Sequence, residues 1–314
     1  MKKLELSLLD LGYRDNRDSL STLSDIIAYG STAEELNFKR IWLAEHHDGN
    51  SLHPYTNPEI LMTLLAGSTS TIRVGSAGSL IGYYPPYLLA SNYKLMNNIF
   101  DDRIDFGFSK GRPANSHQHD YFKLRNESHY ELFCNNLNSI CEIYQNEQAN
   151  FEEKEIVIPP FSGAIPSLWY LSNSYKDMPL AIEKKLNYCR SLIHGLNTLG
   201  VNYEKEKVAE FKSSFFAANG YYPEVTIALA VSFTLTKEEI QKQESEAVNQ
   251  QEAFTVIPVT IESLHELLHE FQDLYGVDEF VIYDTELNNE TRINNLMSMQ
   301  EKFQLATIEH GLPV

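Results

Sequence analysis

Several short runs in this chain bring together residue types that can move protons or hold an anion. Glu45-His46-His47-Asp48 sets two histidines between two carboxylates. A free imidazole titrates near ~6.5, so such a group can exchange protons at working pH. Ser109-Lys110-Gly111, Ser172-Asn173-Ser174 and His194-Gly195 add hydroxyls, an amide, a cation and glycines, and Asp10 and Ser76-Ala77-Gly78 add to the set. Backbone N–H groups and hydroxyls of this kind suit a phosphorylated small molecule, with Lys110 as countercharge. Two other patterns point to metals. His265-Glu266-Leu267-Leu268-His269 fits HExxH, which on a helix would place two zinc ligands on one face with Glu266 as base. No third ligand stands at suitable spacing, and the leucine stripe favours an ordinary amphipathic helix on the outside of the fold. His117-Gln118-His119, with His46, His47 and His53, could suggest a cluster, but its loop setting reads as a surface or substrate pocket. No metal site is expected.

The elements that must position these residues follow from hydrophobic patterning. Apolar runs of strand length occur at residues 4–11, 40–44, 72–81, 103–108, 168–171, 188–193, 225–233 and 279–283. They are continuous rather than alternating, as strands covered on both faces should be. Between them, residues 19–36, 58–70, 86–100 and 261–275 carry helical stripes, the last ending at Gly276, where a C-cap glycine belongs. Eight strands alternating with helices predict an α/β fold, a (β/α)₈ TIM barrel, over residues 1–314 as a single domain. In such a barrel, function sits at the carboxyl ends of the strands, where the chemistry-bearing runs fall. Residues 146–166 read as a long polar, then proline-rich connection, and residues 241–252 as an excursion between strands seven and eight.

The 314 residues carry 25 Lys+Arg against 43 Asp+Glu, a formal charge of −18. That balance disfavours nucleic acid and anionic membrane surfaces as partners. Three cysteines without a CxxC pair suit a reducing compartment. The opening MKKLELSLLD reads as a strand rather than a signal peptide, and no run is long enough to span a membrane. A cytoplasmic protein is expected.

Residues 39–47 (KRIWLAEHH), 72–81 (IRVGSAGSLI) and 102–111 (DRIDFGFSKG), followed by the strand-five segment beginning PSLWYLSNSYKDMPL and the late YGVDEFVIYD, together resemble the luciferase-like flavin monooxygenases. The resemblance runs in order over nearly the whole chain. It implies a usually dimeric barrel that takes reduced flavin mononucleotide (FMN) from a separate flavin reductase and uses O₂ to oxygenate a small organic substrate. A sister branch uses a deazaflavin (F420) for reduction, and an inactive partner chain of the luciferase kind is a further alternative. The resemblance casts His46 as the acid/base group beside the flavin and Glu45 among the cofactor-binding residues. It puts a non-proline cis peptide at Ala77-Gly78 under the ring, Ser109 beside the ring, and Lys110, Asn173 and Ser174 around the phosphate. Lys110 stands for an arginine, which removes a bidentate fork. Asn173 replaces an acid, and Asp177 stands where a small hydroxyl is usual, so it is expected to repel a dianion.

Overall fold

The computed structural model describes residues 3–15, 18–47, 51–112, 122, 128–194, 201–234 and 255–305. Eight parallel strands close into a barrel: β1 (Glu5–Asp10), β2 (Arg40–Leu43), β3 (Arg73–Ser76), β4 (Ile104–Phe108), β5 (Ser167–Ser172), β6 (Asn187–Ser191), β7 (Val225–Phe233) and β9 (Glu279–Asp284). Strand β1 lies between β2 and β9, and the β6–β7 and β7–β9 pairings complete the ring. The helices among the described residues are α1 (Ser19–Glu35), α2 (Glu59–Ser68), α3 (Pro86–Ile99), α4 (His129–Gln145), α5 (Glu147–Lys154), α6 (Met178–Glu183), α7 (Val201–Asn219), α8 (Ile261–Tyr275) and α9 (Asn289–Phe303).

Side-chain alternation along the strands divides the interior in two. Leu8, Ile41, Leu43, Tyr170, Ile227 and Ile282 point outward and pack beneath the helices. Their neighbours Leu9, Trp42, Trp169, Ala228 and Val281 point into the barrel and form a separate cluster. The outer faces of the strands are thus apolar, and so are the inner faces toward the cavity floor, which explains the continuous runs in the sequence.

Local signals set the helix ends. Asp18 caps α1 by accepting the N–H groups of Leu20 and Ser21 at 3.1 and 3.0 Å. Thr260 and Ser263 form a reciprocal cap on α8, and Gly276 ends it in the left-handed region at φ 61°.

The structure departs from expectation in three places. The run at residues 72–81 is not one strand: the ladder stops at Ser76, Ser79 makes an isolated bridge to Phe108, and Ile81–Tyr83 form a 3₁₀ turn. The connection at residues 146–166 contains α5, then a cis Pro159-Pro160 bond. A short strand, β8 (Val256–Val259), extends the edge of β7 where β6 has ended, pairing Ala230 with Val256 and Phe233 with Val259. Pro258 masked it in the sequence, since proline is tolerated in a strand mainly at an edge. The expected excursion at residues 241–252 lies outside the described residues.

Candidate active site

At the carboxyl ends of the strands the barrel opens into a cavity of about 310 Å³, within the range of small-molecule sites. Leu9, Trp42, Cys189, Ala228 and Val281 form its apolar floor, with Leu11, Ala44, Leu171 and Ile193 above them. Its polar margin carries His46, Ser109, Lys110, Ser172, Asn173, Ser191 and His194. Burial pushes the Cys189 thiol up to about 12, so it is a packing group and not a nucleophile.

His46 follows directly on β2, and its backbone N–H donates to Thr56 at 3.3 Å. Its ring stands 6.4 Å from that of Tyr13 and 6.2 Å from that of His53. His53 is fixed in turn, its ring nitrogens 2.5 and 2.7 Å from the carbonyl oxygens of Tyr55 and Leu11. Glu45 points the other way. It is buried, accepts the Leu80 N–H at 2.8 Å and the Tyr84 hydroxyl, and meets His47 Nε2 at 2.7 Å. Glu45 and His47 thus fasten the end of β2 to the turn after β3 and do not line the cavity.

The Ala77-Gly78 peptide bond is cis, where the resemblance put it, and both residues line the cavity. A Cβ on Gly78 would come within 2.7 Å of Leu171 Cδ1 and 3.1 Å of the Gly107 carbonyl oxygen, so this wall is shaped by the missing side chain. Ser109 and Lys110 follow β4. Lys110 Nζ forms an ion pair with Asp177, whose carboxylate also accepts the Tyr130 hydroxyl at 3.0 Å and the Tyr170 hydroxyl at 2.8 Å. Burial pushes the Asp177 carboxyl up, but the lysine and the two tyrosines outweigh it and hold it below the usual range. The repulsive role expected of Asp177 gives way to pairing.

Asn173 lines the cavity, and Ser174 does not. The Ser174 N–H donates to Ser172 Oγ at 3.3 Å, and its carbonyl accepts the Tyr188 hydroxyl. Arg190, unremarked in the sequence, ties these loops together. It is buried, pairs with Glu204 at 2.7 Å, and donates to the carbonyls of Asn173 and Ser191.

Other members of the expected polar ring turn into the wall. Asp10 is buried between Arg14 at 2.7 Å and Arg292 at 3.2 Å, which hold its carboxyl far below the usual range against the effect of burial. Ser76 Oγ bonds to the backbone of Gly107 at 3.2 and 3.1 Å. His265 and His269 lie on α8, outside the barrel, with ring centroids 4.5 Å apart and His265 against Phe303 of α9. Among the described residues no group of three or more His, Cys, Asp or Glu could hold a metal ion. Asp48, Gly195 and His117-Gln118-His119 lie outside the described residues.

Residues 5–278 match the family described as luciferase-like monooxygenase. The chain belongs to this family. It is accordingly an oxidoreductase of the monooxygenase class. One relative, N-acetyl-S-alkylcysteine monooxygenase of Bacillus subtilis, is 24% identical, with 96% of this chain and 97% of the relative covered. Among solved structures, apo-MsnO8 superposes with a TM-score of 0.79 at 18% identity, covering 96% and 99% of the two chains. The oxygenating constituent of 3,6-diketocamphane monooxygenase from Pseudomonas putida, determined with FMN, gives 0.73 at 15%, covering 99% and 100%. These structural likenesses speak for the fold.

For a luciferase-like monooxygenase, the cavity divides into two ends. The floor and the wall at Ala77-Gly78, where Gly78 packs closely on Leu171 and Gly107, fit a flat, largely apolar ring system. The margin offers hydroxyls and amides, but its lysine is already matched by Asp177. The described residues fit the ring, and the one cation among them at the margin is already paired.

Proposed function

We propose that this luciferase-like monooxygenase receives reduced FMN from a separate flavin reductase and uses it with O₂ to oxygenate a small organic substrate. The observation that carries the reading is the apolar cavity at the strand ends, walled by Ala77-Gly78 and edged by His46. When bound, the reduced flavin would supply the electrons that activate O₂. The chain's part is to orient and protect. Trp42, Leu9 and Val281 would keep water from the ring, Ala77 and Gly78 would support it, and Ser109 would border it. His46 Nδ1 or Nε2 holds or delivers the proton that the oxygenation step requires. Lys110 and Asn173 border the flavin's tail, while Glu45 and Ser174 hold the loops that carry His46 and Asn173.

We also propose a homodimer. On α2 and α3, Ile60, Leu64, Leu88, Leu95 and Ile99 form outward apolar stripes, with Ile60 78% exposed, an arrangement that favours cover by a second copy. Light scattering at twice the 35.9 kDa chain mass checks it. The three free cysteines suit a cytoplasmic setting, and no described helix is long and apolar enough to cross a membrane.

The decisive assay is O₂ uptake by the purified protein with photoreduced FMN, with and without candidate thioether and ketone substrates. Substrate-dependent uptake supports the proposal. Binding of flavin without uptake above the flavin-only rate points instead to the non-catalytic partner protein. Turnover with reduced F420 and none with FMN points to a deazaflavin-dependent reductase.

A further inference from the structure

Lys110 is the one lysine or arginine among the described residues lining the cavity, and its charge is committed. Asp177, only 4% exposed, pairs with its ammonium and has its oxygens further engaged by Tyr130 and Tyr170. The Lys110 ammonium also lies 5.8 Å from the centre of the Tyr130 ring. The group is an electroneutral set of one cation, one carboxylate and two hydroxyl donors, with the carboxylate buried and the Lys110 side chain 33% exposed. A phosphate reaching Lys110 meets the Asp177 carboxylate on the same ammonium, so two anions share one cation. Driving Asp177 away leaves a buried carboxylate short of its countercharge, an expensive arrangement. What remains at that end is neutral and polar: the Ser109, Ser172 and Ser191 hydroxyls and the Asn173 amide, groups suited to a sugar-alcohol chain.

Resting on the flavin reading above, we infer that the site recognises a flavin by its ring and its uncharged polyol chain, and that Asp177 is the specificity-determining residue that removes the advantage of a terminal phosphate. The ligand class is an isoalloxazine carrying a polyol, with or without phosphorylation. Asp177 does this by occupying the only lysine at the cavity margin among the described residues, without touching the reacting part of the ring.

The test compares oxidised riboflavin and FMN in calorimetric titrations of the whole protein, at about 50 mM and about 500 mM salt. The wild type should bind the two within about threefold of each other, with no loss of FMN affinity at high salt. Asp177→Asn, which keeps the shape and removes the charge, should tighten FMN relative to riboflavin by about tenfold, and that gain should shrink with salt. The wild-type ratio and its salt dependence decide the matter even where the variant folds poorly. A wild type that prefers FMN by tenfold or more, in a salt-dependent way, overturns the inference and leaves the flavin reading intact. Failure to bind either compound removes the flavin reading itself and this inference with it.

Discussion

The two ends of the barrel handle charge in opposite ways. At the amino ends of the strands, Arg40 is fully buried and meets Glu279 at 2.6 Å, Asp105 at 2.8 Å and Glu224 at 2.8 Å. Arg73 and Trp42 complete the shell of Asp105, and Lys39 adds contacts to Glu279 and Glu5. The Arg40 guanidinium also stacks 4.6 Å from the Trp169 ring, directly under the cavity floor. At the carboxyl ends, Lys110–Asp177 is the one ion pair among the described residues that borders the cavity, the Asp10–Arg14–Arg292 and Arg190–Glu204 sets being buried behind its wall. One end is a plug made of compensated charge, and the other is a space kept open. Substitutions in the plug and in the cavity lining should therefore fail in different assays.

The largest expected effect is at the plug. Arg40→Met leaves Asp105 and Glu279 buried without their main countercharge, and should lower unfolding stability by about 3–5 kcal/mol in urea titrations. A cost below about 1 kcal/mol would break the comparison from that side. At the mouth, His46→Ala should reduce substrate oxygenation by about 10²–10⁴-fold, while its unfolding midpoint and flavin affinity stay close to the wild type. Loss of stability without loss of turnover would reverse the assignment.

Acid titrates the plug together with Asp10 and Asp177. The carboxyls of Asp105 and Glu279 are held below their ordinary values of 3.8 and 4.5, because Arg40, Arg73 and Lys39 outweigh the upward push of burial. A depressed folded-state value means that the unfolded chain binds protons first. The contribution of these groups is thus complete above about pH 5 and is lost as pH falls below about 4. Unfolding stability followed across that window should drop steeply, and a curve flat down to about pH 3 would contradict the plug. The smallest effect belongs to the outer helix: replacing His265 and His269 together by Ala should change stability by less than about 0.5 kcal/mol and leave activity unaltered by chelators. A requirement for zinc would break the view that α8 is only a packing element.

Much of the fold was readable because the strands are largely apolar on both faces, and capping residues such as Asp18 and Gly276 mark their helices locally. The cis bond at Ala77-Gly78 followed from the family resemblance, and the cavity positions of His46, Ser109, Lys110 and Asn173 from their place at the strand ends. Contacts between distant residues were not readable. Lys110 and Asp177 are 67 positions apart, and nothing local distinguishes an acid that repels a ligand from one that pairs with the lysine. Asp10 looked like a rim residue because Arg292, 282 positions away, leaves no local trace. The inward alternation of Leu9, Trp42 and Val281 could have flagged the cavity floor, but continuous apolar runs hide which face is which.

The central claim is that the open end of the barrel holds a flavin ring against the floor formed by Trp42. Both tryptophans of the chain lie in that floor, Trp42 lining the cavity and Trp169 packed edge-on against it at 5.1 Å. Titrating the protein with oxidised flavin while following tryptophan emission tests this directly. Deep, saturable quenching at one flavin per chain is expected, abolished when a bulky side chain fills the floor in Ala228→Phe. Emission that stays constant at saturating flavin, or quenching unchanged in that variant, would contradict it.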